Sequence, residues 1–111
     1  MGGALKFGLS PETIAIVSEV LRRHPSVQQA ILFGSRAKGT HHGGSDIDLA
    51  LVGRDIPFET LLHIMHELDE APIPYEVDVA IYDGITDKAV RDHIDRRGVV
   101  FYQRDTRSPV H

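Results

Sequence analysis

The sequence predicts an α+β domain: a mixed sheet of about four strands with helices packed mainly on one face. Three observations lead there. Apolar residues recur at helical spacing around residues 11–24 and 57–71, apolar and polar residues alternate along 46–52 and 75–82, and glycine- or proline-containing turns separate these segments. Their order reads αββαβαβ, and one layer of helices on a mixed sheet is the natural way to bury such faces.

The elements follow in chain order. Ser10-Pro11-Glu12 reads as a helix start, with Ser10 as cap, proline in the first turn and an acid near the positive end of the dipole. Ile14, Val17, Val20 and Leu21 give that helix its apolar face, and Pro25 ends it near His24. Val27 to Phe33 reads as a strand, Gly34 to Ser45 as a loop, and Asp46 to Val52 as a second strand with Ile47, Leu49 and Leu51 on one side. Pro57 to Ala71 predicts a helix whose stripe is Phe58, Leu61, Leu62, Met65 and Leu68. Tyr75 to Tyr82 alternates as a third strand, placing Glu76, Asp78 and Ala80 opposite Tyr75, Val77, Val79 and Ile81. Thr86 is the expected cap of a last helix ending near Gly98. Val99 to Tyr102 reads as a fourth strand, and a polar tail is expected from Gln103. The three tyrosines Tyr75, Tyr82 and Tyr102 read as sheet packing.

The 111 residues are expected to form one domain, residues 1–111, with a core from about 10 to 102 and flexible termini. Hydrophobic residues are 41% and charged residues 25%, as in a soluble globular protein. No apolar run approaches the roughly 18 residues of a membrane span, and no signal-peptide pattern opens the chain. Cysteine is absent, so disulfides and thiolate metal sites are excluded, and a cytoplasmic location is the expectation. The net charge of −4 argues against strong general nucleic-acid binding, yet leaves room for a single nucleotide bound with a metal. Homo-oligomerisation is compatible with the sequence.

The chemistry concentrates in two places. Asp46 and Asp48 stand two apart on a strand, so both side chains leave the same face with Cα atoms roughly 6.6 Å apart. Paired carboxylates at that spacing are costly without a cation and suit magnesium, which prefers oxygen ligands and leaves positions for water and phosphate. Gly34-Ser35 closes the preceding strand. Glycine permits a sharp turn or a close approach, and the following Ser35-Arg36-Ala37-Lys38-Gly39 can make a helical turn with N–H groups, a hydroxyl and cations suited to triphosphate oxygens. Asp78, on the polar face of the third strand, completes the set and could orient or deprotonate an attacking hydroxyl. Bland alternatives exist: a solvated strand start, an ordinary turn, and solvated loop cations at Arg36 and Lys38. His41-His42 and the His63/His66 pair lack a third ligand nearby and read as solvent-facing.

Ile31-Leu32-Phe33-Gly34-Ser35, ten intervening residues, and Asp46-Ile47-Asp48 together resemble the signature of the DNA polymerase beta-like nucleotidyltransferase superfamily. The short chain is similar to its minimal, MNT-type branch, from about Val27 to Tyr102. The resemblance implies a transfer enzyme in which Gly34 and Ser35, with Arg36, Lys38 and Ser45 beside them, hold a nucleoside triphosphate, ATP foremost. It also implies that Asp46, Asp48 and Asp78 are the catalytic ligands of magnesium, with manganese as a substitute. Glu76 and Asp83 are alternatives for the third carboxylate. Minimal members are similar to antitoxins paired with helical HEPN-type proteins, and some transfer AMP to a tyrosine of that partner. A non-catalytic antitoxin that masks a HEPN ribonuclease and a nucleotide sensor are the competing functions.

Overall fold

The computed structural model describes residues 7–38 and 46–104. Helix α1 (Pro11–Arg22) begins as its sequence predicts: the Ser10 hydroxyl accepts the Thr13 N–H at 3.2 Å, satisfying one of the free donors of the first turn. Strand β1 (Gln29–Phe33) leads into the short helix α2 (Ser35–Lys38). Strand β2 (Ile47–Val52) is followed by α3 (Phe58–Glu70) and β3 (Val77–Ile81). A 3-10 turn (Tyr82–Gly84), helix α4 (Lys88–Arg97) and strand β4 (Val99–Gln103) complete the described chain.

The four strands form one mixed sheet in the order β3-β2-β1-β4. β1 pairs antiparallel with both β2 and β4, whereas β2 and β3 run parallel, joined by α3 as the crossover. Alternation sends Ala30, Leu32, Ile47, Leu49, Leu51 and Phe101 to one face, where Val17, Val20 and Leu21 of α1 and Ile64 and Leu68 of α3 bury them. Helix α4 instead meets the opposite face. A Cβ added at Gly98, its last cap, would lie 2.5 Å from Ile31 Cγ2 and 2.4 Å from the Ile94 carbonyl oxygen, so only glycine fits that close approach. The α+β architecture is therefore as expected, with the two longer helices sharing one face. Among the described residues no helix is long and apolar enough to cross a membrane.

Four local expectations need correction. The inward stripe of α3 is Leu61, Ile64 and Leu68; Phe58, Leu62 and Met65 are 66%, 46% and 44% exposed. Two apolar stripes overlap on this helix, and helical spacing alone does not say which one meets the sheet. Asp87, not Thr86, caps α4, accepting the N–H groups of Ala89 and Val90 at 2.9 and 3.3 Å. The first two residues of the expected polar tail are held: Gln103 closes β4, and the Arg104 guanidinium donates to the carbonyls of Val27, Arg22 and His24, while the rest of that tail lies outside the described residues. Those last two acceptors lie at the negative end of α1, where a cation is favoured. Tyr82 leaves the sheet, donating its hydroxyl to Asp95 Oδ1 at 2.6 Å under the Arg91 guanidinium.

Candidate active site

Register brings the acids together. Phe33 of β1 faces Asp48 of β2, and Asp48 faces Asp78 of β3. Directly opposed residues share a face, so Phe33, Asp48 and Asp78 project away from α1 and α3, onto the side where α4 packs over β1. Asp46 precedes β2, is exposed, and shares the side of Asp48 by alternation. Parallel pairing extends just beyond the strand, where the Ile47 N–H donates to the Glu76 carbonyl at 2.9 Å. The Asp48 carboxyl is pushed above the usual carboxylate range, first by burial, then by the negative charges of Asp78 and Asp46. Three carboxylates thus act on one another electrostatically at neighbouring strand positions. Asp83 lies beyond β3, in the 3-10 turn.

Gly34 sits against this cluster. Its φ of +81° turns the chain from β1 into α2, and a Cβ there would lie 2.5 Å from Asp48 Oδ2. Its N–H donates to His93 Nε2 of α4 at 3.0 Å. The His93 ring meets Phe33 edge-on, with centroids 6.2 Å apart and planes at 71°. The sequence reading did not single out His93. Its partner is 59 positions away, and nothing local marks it as different from any other helical histidine.

The remaining candidates are placed as follows. Ser35 and Lys38 open and close α2. Arg36, a candidate phosphate ligand, is only 3% exposed, donates from Nη1 to the Phe7 carbonyl at 2.9 Å, and lies 4.8 Å over the Tyr75 ring. A buried guanidinium held in this way braces α2 against the N-terminal segment and β3 approach. Ser45, with His41 and His42, lies outside the described residues. His63 and His66 are exposed on α3. A cleft of about 720 Å³ opens beside β3 between Met65, His66 and Asp69 of α3 and Tyr75, Glu76 and Asp78.

Whether these acids suit a metal can be judged from their chemistry. The donor set is carboxylate oxygen, one member of it partly buried among like charges, which favours a hard divalent cation. Among the described residues no three His, Asp or Glu side chains are already arranged to enclose an ion. Magnesium does not need such a cage, since it is commonly held by one or two carboxylates, water and substrate phosphates. The residues therefore fit a metal that binds together with a nucleotide.

The sequence matches the family described as Polymerase beta, Nucleotidyltransferase over residues 16–107. Among curated proteins nothing matches. Among solved structures, a toxin-antitoxin crystallised with AMP-PNP superimposes with a TM-score of 0.67 at 24% identity, over 82% of this chain and 73% of that one. The toxin-antitoxin MntA-HepT superimposes with a TM-score of 0.55 at 19% identity, covering 84% and 72%. A Sulfolobus solfataricus protein described as a nucleotidyltransferase gives a TM-score of 0.52 at 24% identity, covering 92% of both chains. At these identities the likeness speaks for a shared fold, while the sequence match spans most of the chain together with its Gly34-Ser35 turn and Asp46-Ile47-Asp48 strand start. The chain belongs to the polymerase beta nucleotidyltransferase family.

Proposed function

We propose that this protein transfers AMP from ATP to an acceptor hydroxyl, and that the acceptor is carried by a helical HEPN-type partner for which it serves as antitoxin. The observation that carries the catalytic part is the in-register pair Asp48 and Asp78, with Asp46 beside them and the Gly34 turn packed on Asp48. The partner is supported by the shared fold with toxin-antitoxin structures, and the nucleotide by the AMP-PNP in one of them.

In this reading Asp46, Asp48 and Asp78 hold magnesium. A divalent ion held by them would supply neutralisation of triphosphate charge and a more acidic attacking hydroxyl. Gly34-Ser35 seats the phosphates against Asp48. Asp78, on the edge strand β3 and bordering the open cleft, faces the incoming acceptor and takes its proton. The acceptor oxygen forms a bond to the α-phosphorus, the bond from that phosphorus to the bridging oxygen breaks, and pyrophosphate leaves with the electron pair. Positioning and charge compensation supply most of the rate in such a transfer. The parallel pairing of Asp78 with Asp48 favours it over Glu76 and Asp83 as the third carboxylate.

The test incubates the protein with ATP labelled at the α-phosphate, magnesium and the candidate partner. Label on the partner that disappears in Asp46→Asn and Asp48→Asn supports the proposal. Unchanged labelling in both variants refutes the metal-ligand assignment, and protection from the partner that persists without nucleotide identifies a masking antitoxin instead.

A further inference from the structure

We infer that His93 is a positioning residue of the transfer site, holding the Gly34 turn beside Asp48 from helix α4, on the face of the sheet that carries the acids. The inference rests on the nucleotidyl-transfer reading above, but its evidence is separate from the three acids. β1 ends at Phe33, and its pairing with β4 ends at Leu32 opposite Val99. The Gly34 N–H therefore leaves the sheet with no strand partner, and a part-buried amide without an acceptor is costly. His93 Nε2 is that acceptor, at 3.0 Å.

Two consequences follow from the chemistry of the bond. The nitrogen that accepts carries no proton, so the ring is neutral with its hydrogen on Nδ1. The Gly34 N–H is also already engaged and does not donate to phosphate; its part is to fix the turn from which Ser35 follows. The ring is held against Phe33, the residue opposite Asp48, so α4, the end of β1 and the Asp48 position form one contiguous contact. Gly34 runs close beside Asp48, where an added Cβ would meet Oδ2 at 2.5 Å, so a displacement of the turn is felt at the acids. Loss of the His93 bond releases the turn from its position beside the acids, and this loosens the phosphate seat.

The decisive measurements need no activity. In isotope-labelled wild-type protein, a scalar coupling through the hydrogen bond between the Gly34 amide nitrogen and His93 Nε2 is expected, and its absence overturns the inference. Calorimetry with magnesium and AMP-PNP then compares His93→Ala and His93→Gln. His93→Ala is expected to weaken binding about tenfold, the worth of one neutral hydrogen bond. His93→Gln, whose amide oxygen can accept, is expected to recover most of that loss. In transfer assays the effect falls on KM for the nucleotide, with kcat nearly kept because the reacting acids are untouched. A folded His93→Ala that binds AMP-PNP as tightly as wild type, or a His93→Gln no better than a folded His93→Ala, overturns the role. Should His93→Ala fail to fold, the wild-type coupling and His93→Gln decide: wild-type-like AMP-PNP affinity in His93→Gln supports the role, and a tenfold loss there overturns it. Wild-type protein that binds no AMP-PNP defeats the transfer reading itself and the positioning role with it, whereas binding that ignores His93 defeats only the latter.

Discussion

Gly34 is confined twice, by its backbone and by its neighbour. A φ of +81° costs an L-residue roughly 1–2 kcal/mol, and a methyl there would meet the Asp48 carboxylate at 2.5 Å. Gly34→Ala is therefore expected to lower stability by about 1–2 kcal/mol and to displace Asp48. Because a small misplacement at a reacting centre can cost about a hundredfold in rate, transfer should fall far more than stability does. Thermal melting beside a transfer assay checks this, and a fully active Gly34→Ala would show that the turn does not seat the substrate. Asp48 offers the opposite trade. Burial, Asp78 and Asp46 all raise its proton affinity, so the free protein carries an unfavourable carboxylate at neutral pH. Asp48→Asn should stabilise the protein without metal by about 0.2–1 kcal/mol, the range for opposed like charges on neighbouring strands, while transfer is lost. A raised pKa means the folded state holds the proton more tightly, so the native Asp48 destabilises progressively as pH climbs from the ordinary carboxylate range through the raised value. The advantage of Asp48→Asn should accordingly vanish in acid, and melting curves at several pH values would reveal it.

The elements that carry the site differ in how far local sequence describes them. The cap of α1 was legible because Ser10, Pro11 and Glu12 act on their own first turn. Strands β2 and β3 were legible because alternation separates Asp48 from the buried Ile47 and Leu49, and Asp78 from Val77 and Val79, which pack against the core. What escaped depends on partners distant in sequence. The burial of Arg36 depends on Phe7 and Tyr75, and the role of His93 on Gly34; neither follows from spacing. On α3, Phe58, Leu62 and Met65 are as apolar as the three residues that turn inward, so the choice between stripes belongs to packing. That packing has an electrostatic link. His24, just past α1, lies 2.9 Å from Glu67 of α3, with Arg23 at 3.8 Å. The hydrogen bond to His24 is the main reason that the Glu67 carboxyl is held below its usual range, with the charges of His24, Arg23 and His63 assisting. A depressed acid stabilises the fold above its ordinary pKa and loses that contribution as pH falls through the lowered value. Glu67→Gln should thus cost about 1 kcal/mol or less at neutral pH, and the difference from wild type should disappear in acid. Denaturation midpoints across acidic pH test it; a difference that persists unchanged in acid would assign the effect to packing.

Across the whole molecule, the sheet has two unlike faces. One is closed by α1 and α3 over a continuous apolar core, and the other carries α4 over β1 while Asp48 and Asp78 stand on the neighbouring strands. The closed face supplies rigidity, and the open one supplies a place where charge can be compensated from outside. Such an arrangement couples ligand binding to global stability, because unfolding separates Asp46 and Asp48 from Asp78, which only the β2–β3 register makes neighbours. A ligand that binds the folded state alone raises stability by about 2.7 kcal/mol at a hundred times its dissociation constant. For a chain of this length that corresponds to a rise in melting temperature of roughly 10 °C. Magnesium and AMP-PNP together are expected to produce such a rise, and either alone a much smaller one, because the carboxylates and the phosphates share the ion. Chelation with EDTA should reverse it. Asp78→Asn should reduce the shift as Asp46→Asn does, whereas Glu76→Gln and Asp83→Asn should retain it. A shift that survives EDTA, or that depends on Asp83 rather than Asp78, would require the nucleotide to be held by something other than Asp48 and Asp78, which the β2–β3 register pairs, and Asp46 just before β2.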